Sequence, residues 1–338
     1  MTESAKRAMA EEAIIAAYFA PLARGFPGAY NLEDDCAAVS VPAGHDLVLK
    51  TDPVREGLHF LADTDAADIA WKALAVNVSD LAAKAADPLA YLLALSFPSH
   101  PDQRWLARFT EGLAHAQKSF GMHLIGGDTD RAPGPLSISV TVIGTVPQGR
   151  MIRRGNARPG DIVYVSGTLG DASFGLQLCR NAAPFHVDPV DATYLRSRYL
   201  RPEPRVELIP LLRAHASAAM DLSDGLMKDA GRMARACQVA LELEAAHLPT
   251  SPAVTRLVAA DPARLADVAA HGDDYELLLT VPASERAAFE AAATALPFPV
   301  TAIGKVSEPA LAGPAAILRP PDGHPITFPN LGWDHFEG

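Results

Sequence analysis

The chain has 338 residues, with 29 Lys plus Arg against 40 Asp plus Glu and a formal net charge of −11. That acidic balance argues against a nucleic-acid surface and is compatible with carboxylates that gather metal ions, while the length allows two domains with cores of their own. Cys36, Cys179 and Cys237 share no CxxC spacing and leave an odd count, which speaks against a zinc site or a disulfide framework and points to a reducing cytoplasm.

In chain order, Ile14, Ile15, Tyr18, Phe19 and Leu22 share one face of an N-terminal helix, and Glu11 and Glu12 interrupt the apolar region that a signal peptide needs. No run reaches transmembrane length, so no membrane partner is expected. Asp34 and Asp35 follow in "EDDC", and the strand-like "DLVLKTD" ends in Asp52. Ile69, Ala73, Val76 and Asp80 fall at i, i+4, i+7 and i+11, so a continuous helix puts the Asp80 carboxylate on its buried stripe. "HLIGGD" then places Gly126 and Gly127 before Asp128.

The alternating strand Leu136 to Val146 closes the first half, a basic stretch "PQGRMIRRGNARPGD" follows, and a new strand opens at Asp161. The domain boundary is therefore expected at 149/150. In the second half, "SGTLGDAS" sets Gly167 and Gly170 in a turn before a helix, and "YELLLTV" and "VTAIGKV" read as strands. The likeness of the latter to "VTVIGTV" is too short to make an internal repeat.

The stretch "AMDLSDGLMKDAG" is the most informative. Asp221 closes an apolar strand, and Ser223 or Asp224 is the expected N-cap of a helix in which Leu226, Ala230, Met233 and Cys237 recur at helical spacing. A single aspartate of this kind is commonly a turn or cap residue. Five separate segments that each place a carboxylate at a strand end or on an apolar face point instead to hard oxygen ligands for Mg²⁺ and a phosphate-bearing substrate. The glycine turns suit close approach to phosphate or a plain turn, and they match neither a P-loop nor a dinucleotide fingerprint.

Taken in order, "EDDCA", "KTDPVREGLHF", "AVNVSDLAAKAADP", "LIGGDTDR", "SGTLGD", "MDLSDGL", "GDDYEL" and "LGWDHF" resemble the thiamine-monophosphate kinase family over nearly the whole chain. Single blocks are shared with aminoimidazole-ribonucleotide synthetase, selenophosphate synthetase and a hydrogenase-maturation protein. The resemblance implies an α/β (α+β) chain with two aminoimidazole-ribonucleotide synthetase-like domains. Residues 1–149 would bind ATP and Mg²⁺ and dimerise through the N-terminal sheet, and residues 150–338 would complete the nucleotide and substrate site. It implies ATP-dependent conversion of thiamine monophosphate to thiamine diphosphate by a homodimer, with no nucleic-acid partner.

Position by position, the resemblance assigns magnesium to Asp35, Thr51, Asp52, Asp80, Asp128, Asp221 and Asp224. It assigns ATP to Gly127, Asp128, Arg154 and Ser223, with Arg153 an equal phosphate ligand on local sequence. It assigns substrate to His59, Asp273 and Trp333, the last either stacking on a ring or anchoring the tail. No side chain is expected to act as a general base, because the attacking phosphate oxygen is already ionised. Three positions depart from the family pattern. Lys50 stands where Ser is usual, Asp273 replaces Glu, and Thr110 stands where an aromatic is often found.

Overall fold

The computed structural model describes residues 9–309 and 314–320, together with Ile326, Phe328 and Gly332. The chain divides into two compact units, one of residues 1–78 and 88–145, the other of residues 79–87 and 146–338. The short stretch 79–87 thus belongs with the second unit, although the sequence boundary expected at 149/150 would assign it to the first.

The first unit opens with α1 (Glu11–Ile14), a π-helical turn (Ile15–Phe19) and α2 (Ala20–Ala23), which bury Ile14, Phe19 and Leu22 from the expected face. There follow β1 (His45–Arg55), α3 (Ala66–Ala83), β2 (Asp87–Phe97), α4 (Gln103–Phe120), β3 (His123–Arg131) and β4 (Ser137–Pro147). Among the described residues the strands form one sheet in the order β1-β4-β2-β3, with β2 and β3 parallel.

α3 forms as its spacing predicts, with Ile69, Ala73 and Val76 all buried and Asp80 next on the same stripe, half-buried. α4 is fixed at both ends. Asp102 caps its start by accepting the Arg104 N–H, and Gly121, in the left-handed region at φ 68°, ends it.

The second unit contains β5 (Ile162–Ser166), α5 (Asp171–Cys179), α6 (Pro189–Leu200), α7 (Ile209–His215), β6 (Ala218–Asp221), α8 (Leu226–Cys237) and β7 (Ala240–Glu244). It continues with α9 (Pro252–Ala260), α10 (Arg264–Ala270), β8 (Leu277–Val281), α11 (Arg286–Ala293), β9 (Val300–Ser307) and β10 (Ala316–Arg319). The described strands make a mixed sheet in the order β10-β7-β9-β5-β8-β6. β8 is buried at every position, as a strand covered on both faces must be.

One apolar cluster gathers Phe174, Leu226, Met233, Leu241 and Ile303; a second gathers Tyr164, Leu212, Ala219, Leu277 and Phe289. Ala82, Ala83 and Ala85 pack into the second cluster, which is why the last turn of α3 belongs to this unit. No helix among the described residues is long and apolar enough to cross a membrane.

Candidate active site

β6 runs antiparallel to β8, with Asp221 opposite Leu277, so the strand delivers Asp221 at its very end. The pairing continues past both strands. Leu222 N–H donates to Glu276 O at 2.8 Å, Tyr275 N–H to Leu222 O at 3.0 Å and Asp273 N–H to Ser223 O at 2.9 Å. The "MDLSDGL" and "GDDYEL" motifs are therefore one paired ribbon, and Asp273 lies beside Ser223.

The helix after this ribbon begins differently from the sequence expectation. The N-cap of α8 is Gly225, and neither Ser223 nor Asp224 caps it. Gly225 is required there because its φ is 116° and a Cβ would meet Ala270 O at 2.4 Å. The Ser223 and Asp224 N–H groups instead donate to one oxygen of Asp229, at 3.1 and 3.0 Å. Asp229 is fully buried in the first turn of α8, and its other oxygen accepts from Arg232 at 2.7 Å. Arg232 also pairs with the Asp224 carboxylate. Burial pushes the Asp229 carboxyl up to about 6, against the lowering pull of its N–H donors and Arg232. Asp229 was absent from the sequence assignments. Its signal was an acid in the first helical turn, five residues beyond Asp224, able to reach back over the loop.

Two further acids of the same ribbon also lacked an assignment. Asp274 is buried and accepts the Gly170 and Ala172 N–H groups at 2.8 and 3.2 Å, closing the start of α5. Two N–H groups of the "SGTLGD" turn are thus taken by a carboxylate of the chain itself. Burial pushes Asp274 up to about 8, with Asp171 nearby raising it further. Glu276, fully buried, takes Ser166 Oγ at 2.7 Å, Arg198 at 2.9 Å and the Arg205 Nε at 2.6 Å. With two guanidiniums on one carboxylate, the ribbon is anchored where removing either partner would strand a buried charge.

The last turn of α3 lies against the same ribbon's strand. Lys84 Nζ donates to Ala219 O at 2.9 Å, two residues before Asp221, and half-buried Asp80 belongs to the unit that carries Asp221 and Asp224. Arg153 and Arg154 are exposed in the loop before β5, where Cys237 Sγ donates to the Arg154 carbonyl at 3.0 Å.

In the first unit, Asp52 lies half-buried on β1. Its N–H donates to Asn77 Oδ1 at 2.9 Å, and its carboxylate pairs with Lys50 Nζ at 2.9 Å. Lys50, the departure from the family pattern, therefore serves as a partner of Asp52. Thr51 is exposed and bonds Thr141 through its hydroxyl at 3.0 Å. His59 accepts the Arg55 N–H at Nδ1, at 3.0 Å. Asp35 is exposed in the loop before β1.

Asp128 is exposed on β3, and Gly127 beside it is needed because a Cβ would meet Leu93 O of β2 at 1.8 Å. Thr110 is buried and returns its hydroxyl to Leu106 O at 2.9 Å, a helix-internal bond. Trp333 lies outside the described residues.

Every assigned metal ligand offers oxygen, and all but Thr51 a carboxylate, the donor chemistry that suits Mg²⁺. Among the described residues no group of three or more His, Cys, Asp or Glu is gathered closely enough to hold a metal by itself. Magnesium fits such a set, since it keeps several waters and needs only one or two protein carboxylates when nucleotide phosphates supply the rest.

The class comes first from the two halves. Residues 33–146 match the N-terminal domain of AIR synthase related proteins, and residues 158–312 match the C-terminal domain. A thiamine-monophosphate kinase of Escherichia coli (strain K12) is 42% identical over 306 residues, which cover 90% of this chain and 91% of that protein. One of Caulobacter vibrioides is 41% identical over 326 residues, covering 95% and 89%.

Among solved structures, the thiamine-monophosphate kinase of Stenotrophomonas maltophilia K279a superimposes with a TM-score of 0.78 at 41% identity, covering 87% of this chain and 91% of its own. AaThiL complexed with AMPPCP and TMP gives 0.75 at 32% identity, covering 90% and 91%. The hydrogenase maturation protein HypE in complex with ATP reaches 0.77 at 18% identity and shares the fold alone. The chain belongs to the thiamine-monophosphate kinase family.

Proposed function

We propose that this chain transfers the terminal phosphoryl group of ATP to thiamine monophosphate, giving thiamine diphosphate by direct in-line displacement in thiamine diphosphate biosynthesis. The observation that carries this reading is the likeness, along nine-tenths of the chain, to AaThiL complexed with AMPPCP and TMP. The acids of the sequence motifs support it: Asp52, Asp128 and Asp221 lie on strands, Asp80 on a helix and Asp35 and Asp224 in loops.

Bound magnesium would neutralise the phosphate charge and align the oxygens. The chain's residues do the rest. Asp35, Asp52, Asp80, Asp128, Asp221 and Asp224, with the Thr51 hydroxyl contributing, would supply the one or two protein carboxylates that each magnesium ion needs. Ser223 and Arg154 donate to phosphate oxygens, Arg154 with a fork suited to bidentate contact, and the Gly127 backbone gives close approach. Asp273 favours the cationic thiazolium, Trp333 stacks on a ring of the substrate, and His59 contacts the same ligand. The acceptor phosphate oxygen is ionised near neutral pH, so the transfer asks no side chain to remove a proton.

Residues 1–149 take the ATP-binding and dimerising role in this reading and residues 150–338 the remainder. Leu49 on β1, 63% exposed, with Leu47 and Leu92 also exposed, supports a covered sheet face in a homodimer. Three free cysteines support a cytoplasmic setting. Calorimetry with a non-hydrolysable ATP analogue and Mg²⁺ tests the assignment. Thiamine monophosphate should bind to the loaded protein, and the absence of such binding would refute it.

A further inference from the structure

We infer that Arg232 is a positioning residue that stands in for a cation on Asp224: its guanidinium occupies the carboxylate that magnesium would take, so the ion pair and the metal compete. The inference rests on the metal assignment proposed above.

Arg232 lies one turn beyond Asp229 on α8, and its Nη1 serves two acids, Asp229 Oδ1 at 2.7 Å and the Asp224 carboxylate. Asp229 is fully buried and bonded to the Ser223 and Asp224 N–H groups. Arg232 is therefore held at the loop and does not swing as a free surface cation. The Asp224 side chain is 15% exposed and that of Arg232 35%, so water screens the pair only in part.

Exchange is cheap for the arginine. On releasing Asp224 it keeps Asp229, so no guanidinium is left buried and unpaired, and Asp224 gains a divalent ion for a monovalent one. The Lys50–Asp52 pair of β1 has the same sign, but its side chains are 33% and 47% exposed and it is screened more strongly. By linkage, any free energy that Arg232 contributes to Asp224 is subtracted from metal binding. The pair would thereby hold the carboxylate in place while keeping bare metal from binding tightly in the absence of nucleotide phosphates.

Titration of the full chain with Mn²⁺ alone, read by the loss of its free electron-spin-resonance signal, tests this. Arg232→Gln should bind Mn²⁺ about three- to tenfold more tightly, the range of a half-sheltered ion pair, and Arg232→Lys should return affinity toward the parent value. In an Asp224→Asn background the Arg232→Gln shift should vanish. Arg232→Met, whose stem keeps the packing, gives the same measurement should the Gln variant unfold. Unchanged or weaker Mn²⁺ binding by the folded Arg232 variants, with Asp224→Asn still weakening it, overturns the inference alone. An Asp224→Asn variant that binds Mn²⁺ as the parent does removes the metal assignment as well.

Discussion

The carboxylate of Asp274 accepts the Gly170 N–H at 2.8 Å across 104 residues of sequence. It also takes the Ala172 N–H, so a residue of the ribbon paired with "MDLSDGL" closes the start of α5. Burial raises this carboxyl to about 8. The folded chain then holds a proton that the unfolded chain has lost between roughly pH 4 and pH 8, so Asp274 makes stability fall as pH rises through that window. Asp274→Asn should lessen this fall, and its amide, facing backbone donors, should cost about 1–3 kcal/mol at low pH. Thermal midpoints measured from pH 4 to pH 8 check this, and parallel profiles for parent and variant would contradict it.

A second prediction concerns Gly127. A Cβ there would sit 1.8 Å from the Leu93 carbonyl of the neighbouring strand, and backbone cannot yield as a side-chain tip can. Gly127→Ala should cost about 3 kcal/mol or more by separating β2 from β3. Differential scanning calorimetry should show a clear drop in the midpoint, and an unchanged midpoint with lost activity would mean that the glycine serves only the ligand.

Asp80 is half-buried at the end of the apolar stripe of α3. Asp80→Asn keeps its size while removing its charge, so turnover should fall by about 100-fold or more while the fold survives. Circular dichroism and steady-state kinetics decide the matter together. Normal turnover, or an unfolded variant, would count against the metal role.

Asp229 offers the sharpest contrast between holding a loop and touching a ligand. Asp229→Asn retains one acceptor for the Ser223 and Asp224 N–H groups but turns a donor toward Arg232. Its kcat/KM for ATP should fall by about 10-fold or more, with a smaller change in KM for thiamine monophosphate. Equal effects on both substrates would show that the loop serves them alike.

The candidate acids are legible because an aspartate closing an apolar strand, or lying on the buried stripe of a helix, is out of place on its own terms. Asp80 and Asp221 lie where that reading put them, and α3 forms around Ile69, Ala73 and Val76 as spacing dictates, whereas Asp52 and Asp128, expected at strand ends, sit inside β1 and β3, which run on to Arg55 and Arg131 because strand pairing continues past the apolar run. The acids that organise the ribbon did not stand out. Asp274 finds its donors at Gly170 and Ala172, and Glu276 its guanidiniums at Arg198 and Arg205, at separations that no local pattern encodes.

Ser223 and Asp224 match the usual cap in residue type, but the cap is Gly225, because Asp229 of the first turn takes the loop N–H groups itself. The sheet order β10-β7-β9-β5-β8-β6 was equally hidden, because strand alternation fixes which face is buried and leaves the neighbours undetermined.

The most direct measurement is chromatographic quantification of thiamine diphosphate after incubating the purified chain with ATP, Mg²⁺ and thiamine monophosphate, beside a chelator control. The chain should form thiamine diphosphate stoichiometrically with ADP, and the chelator should abolish it. ATP consumed only when another phosphate-bearing compound replaces thiamine monophosphate would contradict the assignment.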